Sequence, residues 1–174
     1  MINKTFWTNK KHYVYKEGNK LGVLDKLGNI IFYPQYNEIN PKNYYPNSKL
    51  NYMLFVSNNN KWGVVNIKNE IIAPLKFESV DFANSNYLIV GINQFKHLYD
   101  TNNKKLLEGF SFEKFIFFPY YSRLEKNNKE TLIDNSTFDL IFPFKYDEIH
   151  FEDKIDLFIV KSKNKYRVIN LKGE

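Results

Sequence analysis

No cysteine occurs in the 174 residues, which excludes a disulfide framework and thiolate metal sites. Arginine is almost as scarce, with only Arg123 and Arg167. Arginine is the usual residue for bidentate phosphate and base contacts, so nucleic acid is not the expected partner. The seven glycines form no loop able to cradle a phosphate. Three histidines, His12, His97 and His150, are expected at the surface or at sheet edges, without close acidic or histidine partners. Nowhere do the ~18 consecutive apolar residues of a membrane span occur, and the first residues carry no signal-peptide core. These absences lead to the expectation of a soluble, cytoplasmic protein with no membrane partner.

What is present is a large apolar and aromatic fraction, 43% and 18%, incompatible with disorder and sufficient for one ordinary domain spanning 1–174. The net charge of +6 is nearly all lysine. Lysine here accompanies abundant Asn, Ile, Phe and Tyr, a combination that codon bias alone can produce.

The stretch Lys61–Val80, KWGVVNIKNEIIAPLKFESV, organises the rest. Trp62, Val64, Val65 and Ile67 are stiff or broad side chains suited to a pleated, half-buried surface. Lys68-Asn69-Glu70 interrupts them, and Ile71-Ile72 restarts the pattern, so the segment reads as a hairpin. Pro74 cannot donate to a ladder and requires the second strand to end there or lie at an edge. Phe77 and Val80 follow as an apolar hook. No apolar spacing fits a helix of ~10 residues.

The pattern recurs. Units are expected at about 13–39, 53–82, 87–115, 116–151 and 157–174, with matching positions 34 to 41 residues apart. Asp25, Asn66, Asp100, Asp134 and Asn170 end the second strand of successive units, where a short carboxylate or amide starts a turn. The hooks are Tyr36/Ile39, Phe77/Val80, Phe112/Phe115 and Tyr146/Ile149. Such a period signals stacked units that bury their faces only against neighbours. The expected fold is all-β: tandem three-stranded antiparallel repeats in an open, curved array. The alternative is a closed, propeller-like ring in which residues around Thr5-Phe6-Trp7 complete the last unit, whose third strand is missing.

These residues resemble the WG-repeat (KWG-repeat) family. Asn60-Lys61-Trp62-Gly63-Val64-Val65 matches the head of its pattern and Pro143-Phe144-Lys145-Tyr146-Asp147-Glu148-Ile149 its tail. Elsewhere the Trp position holds Leu21, Lys96, Glu130 or Tyr166, and the Gly position holds His97, Thr131 or Arg167, marking a degenerate member. The resemblance implies an all-β repeat scaffold, common in bacteria, with no catalytic residues to carry over. Some small members resemble immunity or other partner-binding proteins.

No constellation of catalytic or metal-binding residues emerges, and no cofactor is expected. Asp147 and Glu148, adjacent in a strand, point to opposite faces and cannot share a site without a turn. Two aromatic clusters are assigned instead to connections between units: Tyr44-Tyr45-Pro46, and Phe117-Phe118-Pro119-Tyr120-Tyr121 followed by Arg123, of which Tyr44, Tyr45, Phe118, Tyr120, Tyr121 and Arg123 are the candidate partner-binding residues. Tyr and Arg are enriched at binding hot spots. The functional expectation is therefore a non-catalytic protein-binding module, of the kind that neutralises a toxin, whose partner carries an acidic patch. A binder of nucleic acid or glycan, using aromatics and lysines, is the alternative.

Overall fold

The computed structural model of the chain describes residues 5–8, 12–40, 53–84, 86–109, 111–151 and 157–174, the first stretch by its backbone alone. Among them there is no helix, and every strand pairing is antiparallel. The first sheet runs β1 (Thr5–Thr8), β2 (His12–Glu17), β3 (Lys20–Asp25), β4 (Ile30–Tyr36). The second runs β5 (Glu38–Asn40), β6 (Met53–Asn58), β7 (Lys61–Asn66), β8 (Ile71–Phe77). The third comprises β9 (Ser79–Phe82), β10 (Tyr87–Ile92), β11 (Phe95–Asp100) and the two-residue β12 (Lys105–Leu106). The fourth is β13 (Lys114–Phe117), β14 (Tyr121–Lys126) and β15 (Lys129–Asp134), and the fifth β16 (Glu148–Phe151), β17 (Leu157–Ser162) and β18 (Lys165–Asn170).

The expected all-β tandem repeat is thus observed; the first three sheets have a fourth strand, which in the second and third is an added opening strand, and the fourth and fifth sheets have three. The hooks explain the extra strand. The first residue of each pair closes one sheet opposite the family's Trp position: Tyr36 pairs Leu21, Phe77 pairs Trp62, Phe112 pairs Lys96 and Tyr146 pairs Glu130. The second residue opens the next sheet: Ile39 pairs Val56, Val80 pairs Val90, Phe115 pairs Leu124 and Ile149 pairs Val160. Residues between them already bond to the following sheet, as in Glu78 N–H to Gly91 O at 3.0 Å. The alternative in which the N-terminal strand completes the last unit is corrected, because β1 pairs with β2.

Where the Trp-Gly dipeptide or its equivalent is intact, the closing strand is long. Built onto Gly63, a Cβ would lie 2.7 Å from Ala73 O and 2.9 Å from Leu75 N; on Gly22 it would lie 2.7 Å from Phe32 O. Glycine lets the outer strand close in across a register shift. The closing strands β4 and β8 accordingly reach seven residues and run through Pro34 and Pro74 on the outer edge. With Thr131 at the Gly position, the fourth sheet has only the single bridges Glu130–Tyr146 and Ile133–Leu140 in place of a closing strand.

The turn column is realised in every unit. Asp25 Oδ1 accepts from Leu27 N–H (2.8 Å) and Asn29 N–H (2.9 Å), and Asn66 Oδ1 from Lys68 and Glu70 N–H (both 2.9 Å). Asp100 accepts from Asn102 N–H at 2.8 Å, Asp134 from Ser136 N–H at 2.7 Å and Asn170 from Lys172 N–H at 2.9 Å.

By packing, the chain forms two compact units, one of Met1–Asn93 with His97–Glu108, the other of Gln94–Lys96 with Gly109–Glu174. In the first, Leu54, Val56 and Val65 of the second sheet pack on Val14, Val23, Phe32 and Tyr36 of the first. Its opposite face, Phe55, Val64, Ala73 and Phe77, packs on Val80, Leu88, Val90 and Tyr99 of the third sheet. In the second unit, Phe158, Val160 and Ile169 of the fifth sheet pack on Leu132, Phe142 and Tyr146. Strand residues of one sheet thus alternate between two neighbours.

Candidate functional site

Of the aromatic and arginine residues singled out from sequence, Tyr44 and Tyr45 lie outside the described residues. The others lie in the second unit, and the structure divides them. Residues 121–126 form β14, where a connection was expected. Counted from the hairpin tip, Tyr121 occupies the place of Met53 and Arg123 that of Phe55. Both therefore face the neighbouring sheet. The Tyr121 ring meets Phe158 and Phe151 edge-on, at 5.6 and 6.0 Å between centroids. Arg123 Nη1 donates to Ile149 O at 3.3 Å and lies 3.6 Å from Glu130 Oε2. Glu130, at the family's Trp position, in turn accepts from Ile149 N–H at 2.7 Å. Arginine and glutamate together replace an aromatic pair in the seam between the fourth and fifth sheets.

Phe118 is half-buried against Phe151, with ring centroids 4.9 Å apart. Tyr120 is different: it is 61% exposed. Beside it on β13 and its turn, Phe117 is 53% and Ile116 40% exposed. Phe117 belongs to the cluster singled out from sequence, whereas Ile116 was missed, because an apolar strand reads as core whichever way it faces. Asn135 braces the turn. Its amide donates to Phe118 O, its backbone N–H donates to Tyr120 O at 3.0 Å, and its Oδ1 accepts from Ser122 Oγ at 2.6 Å. The result is two exposed aromatic side chains, Phe117 and Tyr120, on a fixed hairpin, with Ile116 on the opposite face of β13 from Phe117.

Acidic groups are engaged locally. The Asn29 side chain holds the Asp25 carboxyl below its ordinary value, and the Ser136 hydroxyl does the same for Asp134. Burial pushes Asp100 up, but hydrogen bonds from Asn103 and Asn102 outweigh it and the group is lowered. Asp147 bonds Lys129 and is lowered by it, while Glu148 is lowered by Lys161, 2.6 Å away. Asp147 lies in the bend before β16 and Glu148 opens that strand, and the two carboxylates bond different lysines. His150 corrects the expectation of an unpartnered histidine, since its Nε2 lies 3.3 Å from Glu148 Oε2. Among the described residues no three His, Asp or Glu side chains gather as a metal site, and no helix is long and apolar enough to cross a membrane.

Fold and site together define a β-repeat protein whose sheets are stitched from consecutive sequence repeats. The chain belongs to the WG-containing-repeat family, whose model matches residues 22–62, 62–94 and 132–166, more than half of the chain. No curated protein matches it. Among solved structures it is similar to a crystal structure of a eukaryotic initiation factor, at 12% identity and a TM-score of 0.50, covering 96% of this chain and 51% of that one. It is also similar to Hsv2p of Kluyveromyces lactis, at 8% identity and a TM-score of 0.44, covering 98% and 62%. The chain therefore spans between half and two thirds of the length of these structures. At such identities the first likeness concerns the fold alone.

Proposed function

We propose that the chain is a non-catalytic protein-binding repeat module of the toxin-neutralising, immunity type, which uses the exposed rings of Phe117 and Tyr120 to hold its partner. The observation that carries this reading is the exposure of two aromatic side chains, Phe117 at the end of β13 and Tyr120 on the turn that Asn135 braces. Exposed aromatics on a pre-ordered loop bury area at small entropic cost, which is how hot spots work. Family membership supports a scaffold role. The scarcity of arginine favours protein over nucleic acid, and Lys114, Lys129 and Lys161 are paired with Glu125, Asp147 and Glu148 within the fold. The net charge of +6 favours a partner with an acidic patch.

The test is calorimetric titration with the protein encoded beside it. Phe117→Ala and Tyr120→Ala are expected to weaken binding by about tenfold or more each while leaving the melting curve unchanged. A folded wild type that shows no heat with that protein would reject the immunity version. Binding untouched by both substitutions would remove the two rings from the reading.

A further inference from the structure

We infer that the residue after each hook aromatic is a strap that makes successive hairpins open together, through Asn37 between the first and second sheets and through Asp147 between the fourth and fifth. The hairpin tips show why a strap is needed. Asn59-Asn60, Asn127-Asn128 and Lys163-Asn164 have both residues at positive φ, as a two-residue turn between twisted strands requires. Their strands pair up to the flanking residues, Asn58 with Lys61, Lys126 with Lys129 and Ser162 with Lys165. Such a turn leaves the N–H of its first residue outside the ladder, and that donor takes an acceptor from elsewhere. In these three sheets the acceptor is the residue that follows the preceding hook aromatic. Asn59 N–H donates to Asn37 Oδ1 at 3.3 Å, Asn127 N–H to Glu113 Oε1 at 3.2 Å, and Lys163 N–H to Asp147 Oδ2 at 2.9 Å.

The other end of the strap is a lysine at the tip of the preceding sheet. Lys20, which opens β3, donates to Asn37 Oδ1 at 3.1 Å and to Asn58 Oδ1 at 2.8 Å. Asn58 Oδ1 also accepts from Asn37 N–H at 3.1 Å. Lys129, in the same place on β15, bonds Asp147 Oδ1. One short side chain therefore holds the tips of two hairpins that belong to different sheets. A side chain fixed at two ends loses its orientation when either end lets go, so release at one tip lowers protection at the other. The strap is incomplete elsewhere. Phe95 occupies the lysine place in the third sheet, which leaves Glu113 held by Asn127 alone. Glu78, after Phe77, is exposed, and among the described residues its carboxylate accepts no hydrogen bond from Lys61 or from the Asn93-Gln94 tip.

The experiment is native-state amide hydrogen exchange, read by NMR on the full chain. Asp147→Ala is expected to speed exchange of Lys163 N–H by about tenfold. Lys129→Met, which does not touch that amide, is expected to speed it by about threefold. Lys61→Met, at the same place in a sheet without a strap, should leave Asn93 N–H unchanged. Lys129 and Asp147 are both partly exposed, so neither substitution opens the core, and the slowest amides of β17 should keep their wild-type rates. A second measurement needs no variant. In the wild type, salt at about 1 M screens the Lys129–Asp147 pair and should speed Lys163 N–H relative to Asn59 N–H, whose acceptor Asn37 is uncharged. A Lys163 rate untouched by Lys129→Met overturns the proposal, as does an equal response of the two amides to salt. An Asn93 rate that follows Lys61→Met as Lys163 follows Lys129→Met overturns it too. None of these readouts involves a partner, so their failure would leave binding through Phe117 and Tyr120 standing.

Discussion

The second and fourth sheets place the same backbone positions in the same register and fill them with opposite chemistry. In the second, Phe55 and Val64 make a dry seam with the third sheet, and Gly63 lets a seven-residue outer strand lie close. In the fourth, Arg123 and Glu130 meet at 3.6 Å, Thr131 sits where glycine would, and the closing strand shrinks to two bridges. Thr131 Oγ1 donates to Phe142 O, so a hydroxyl holds locally what the ladder holds in the second sheet. The seam tolerates either an apolar or an ionic filling, but the substitutions come as a set. The ionic version is the less satisfied one, since Arg123 Nε is buried without a partner. Buried polar groups left unpaired cost stability, so the two regions should respond differently to mutation.

The largest effect is expected from Phe55→Ala. It opens a cavity in the dry seam and should lower the unfolding free energy by about 3–5 kcal/mol, read from urea denaturation. Next comes Gly63→Ala, where the new methyl meets backbone atoms of β8 that cannot swing aside. A loss of about 1–3 kcal/mol is expected, against a far smaller change for Thr131→Ser in the same assay. A double-mutant cycle of Arg123→Met and Glu130→Gln should give a coupling of only about 0.5–1 kcal/mol. A coupling as large as the Phe55 loss would show the ionic seam to be the stronger of the two.

The smallest effect concerns acid. Asp25, Asp100 and Asp134 have folded pKa values below their ordinary 3.8. The stability they add is present above that value and is lost as pH falls through the lowered one. Asn66 and Asn170 make the same backbone contacts without titrating. The triple change Asp25→Asn, Asp100→Asn, Asp134→Asn should therefore flatten the fall in urea midpoint below about pH 4 and leave the neutral value nearly unchanged. An unaltered acid limb would show that other carboxylates govern it.

Much of this architecture was legible because its determinants are local. The turn column depends on one side chain reaching the N–H two residues on, and hairpins such as β6–β7 announce themselves by short apolar runs around Asn59-Asn60, both at positive φ. What stayed hidden was pairing over distance. Nothing near Ile39 or Val80 says that each bonds forward into the next sheet. For the same reason Tyr121 and Arg123 read as a displayed cluster when they are seam residues. Setting Tyr121 under Met53 and Arg123 under Phe55 in the repeat would have revealed the seam, but the connection before β14 obscures that register. Phe138, 2% exposed at φ 63° within the Asp134 turn, had no local signal at all.

The offset between sequence repeat and sheet has a consequence for how such a chain can change in length. Each of the second to fifth sheets takes its opening strand from one repeat and its remaining strands from the next. Removing or copying one whole repeat in the gene would leave every donated strand facing an acceptor of the same form. A single cut inside a sheet, between its opening strand and the rest, that is not matched one period further on would instead part a donor from its acceptor. Duplication by whole repeats is the growth step that this fold absorbs with least repair, and drift such as Trp to Glu130 can follow later, one seam at a time.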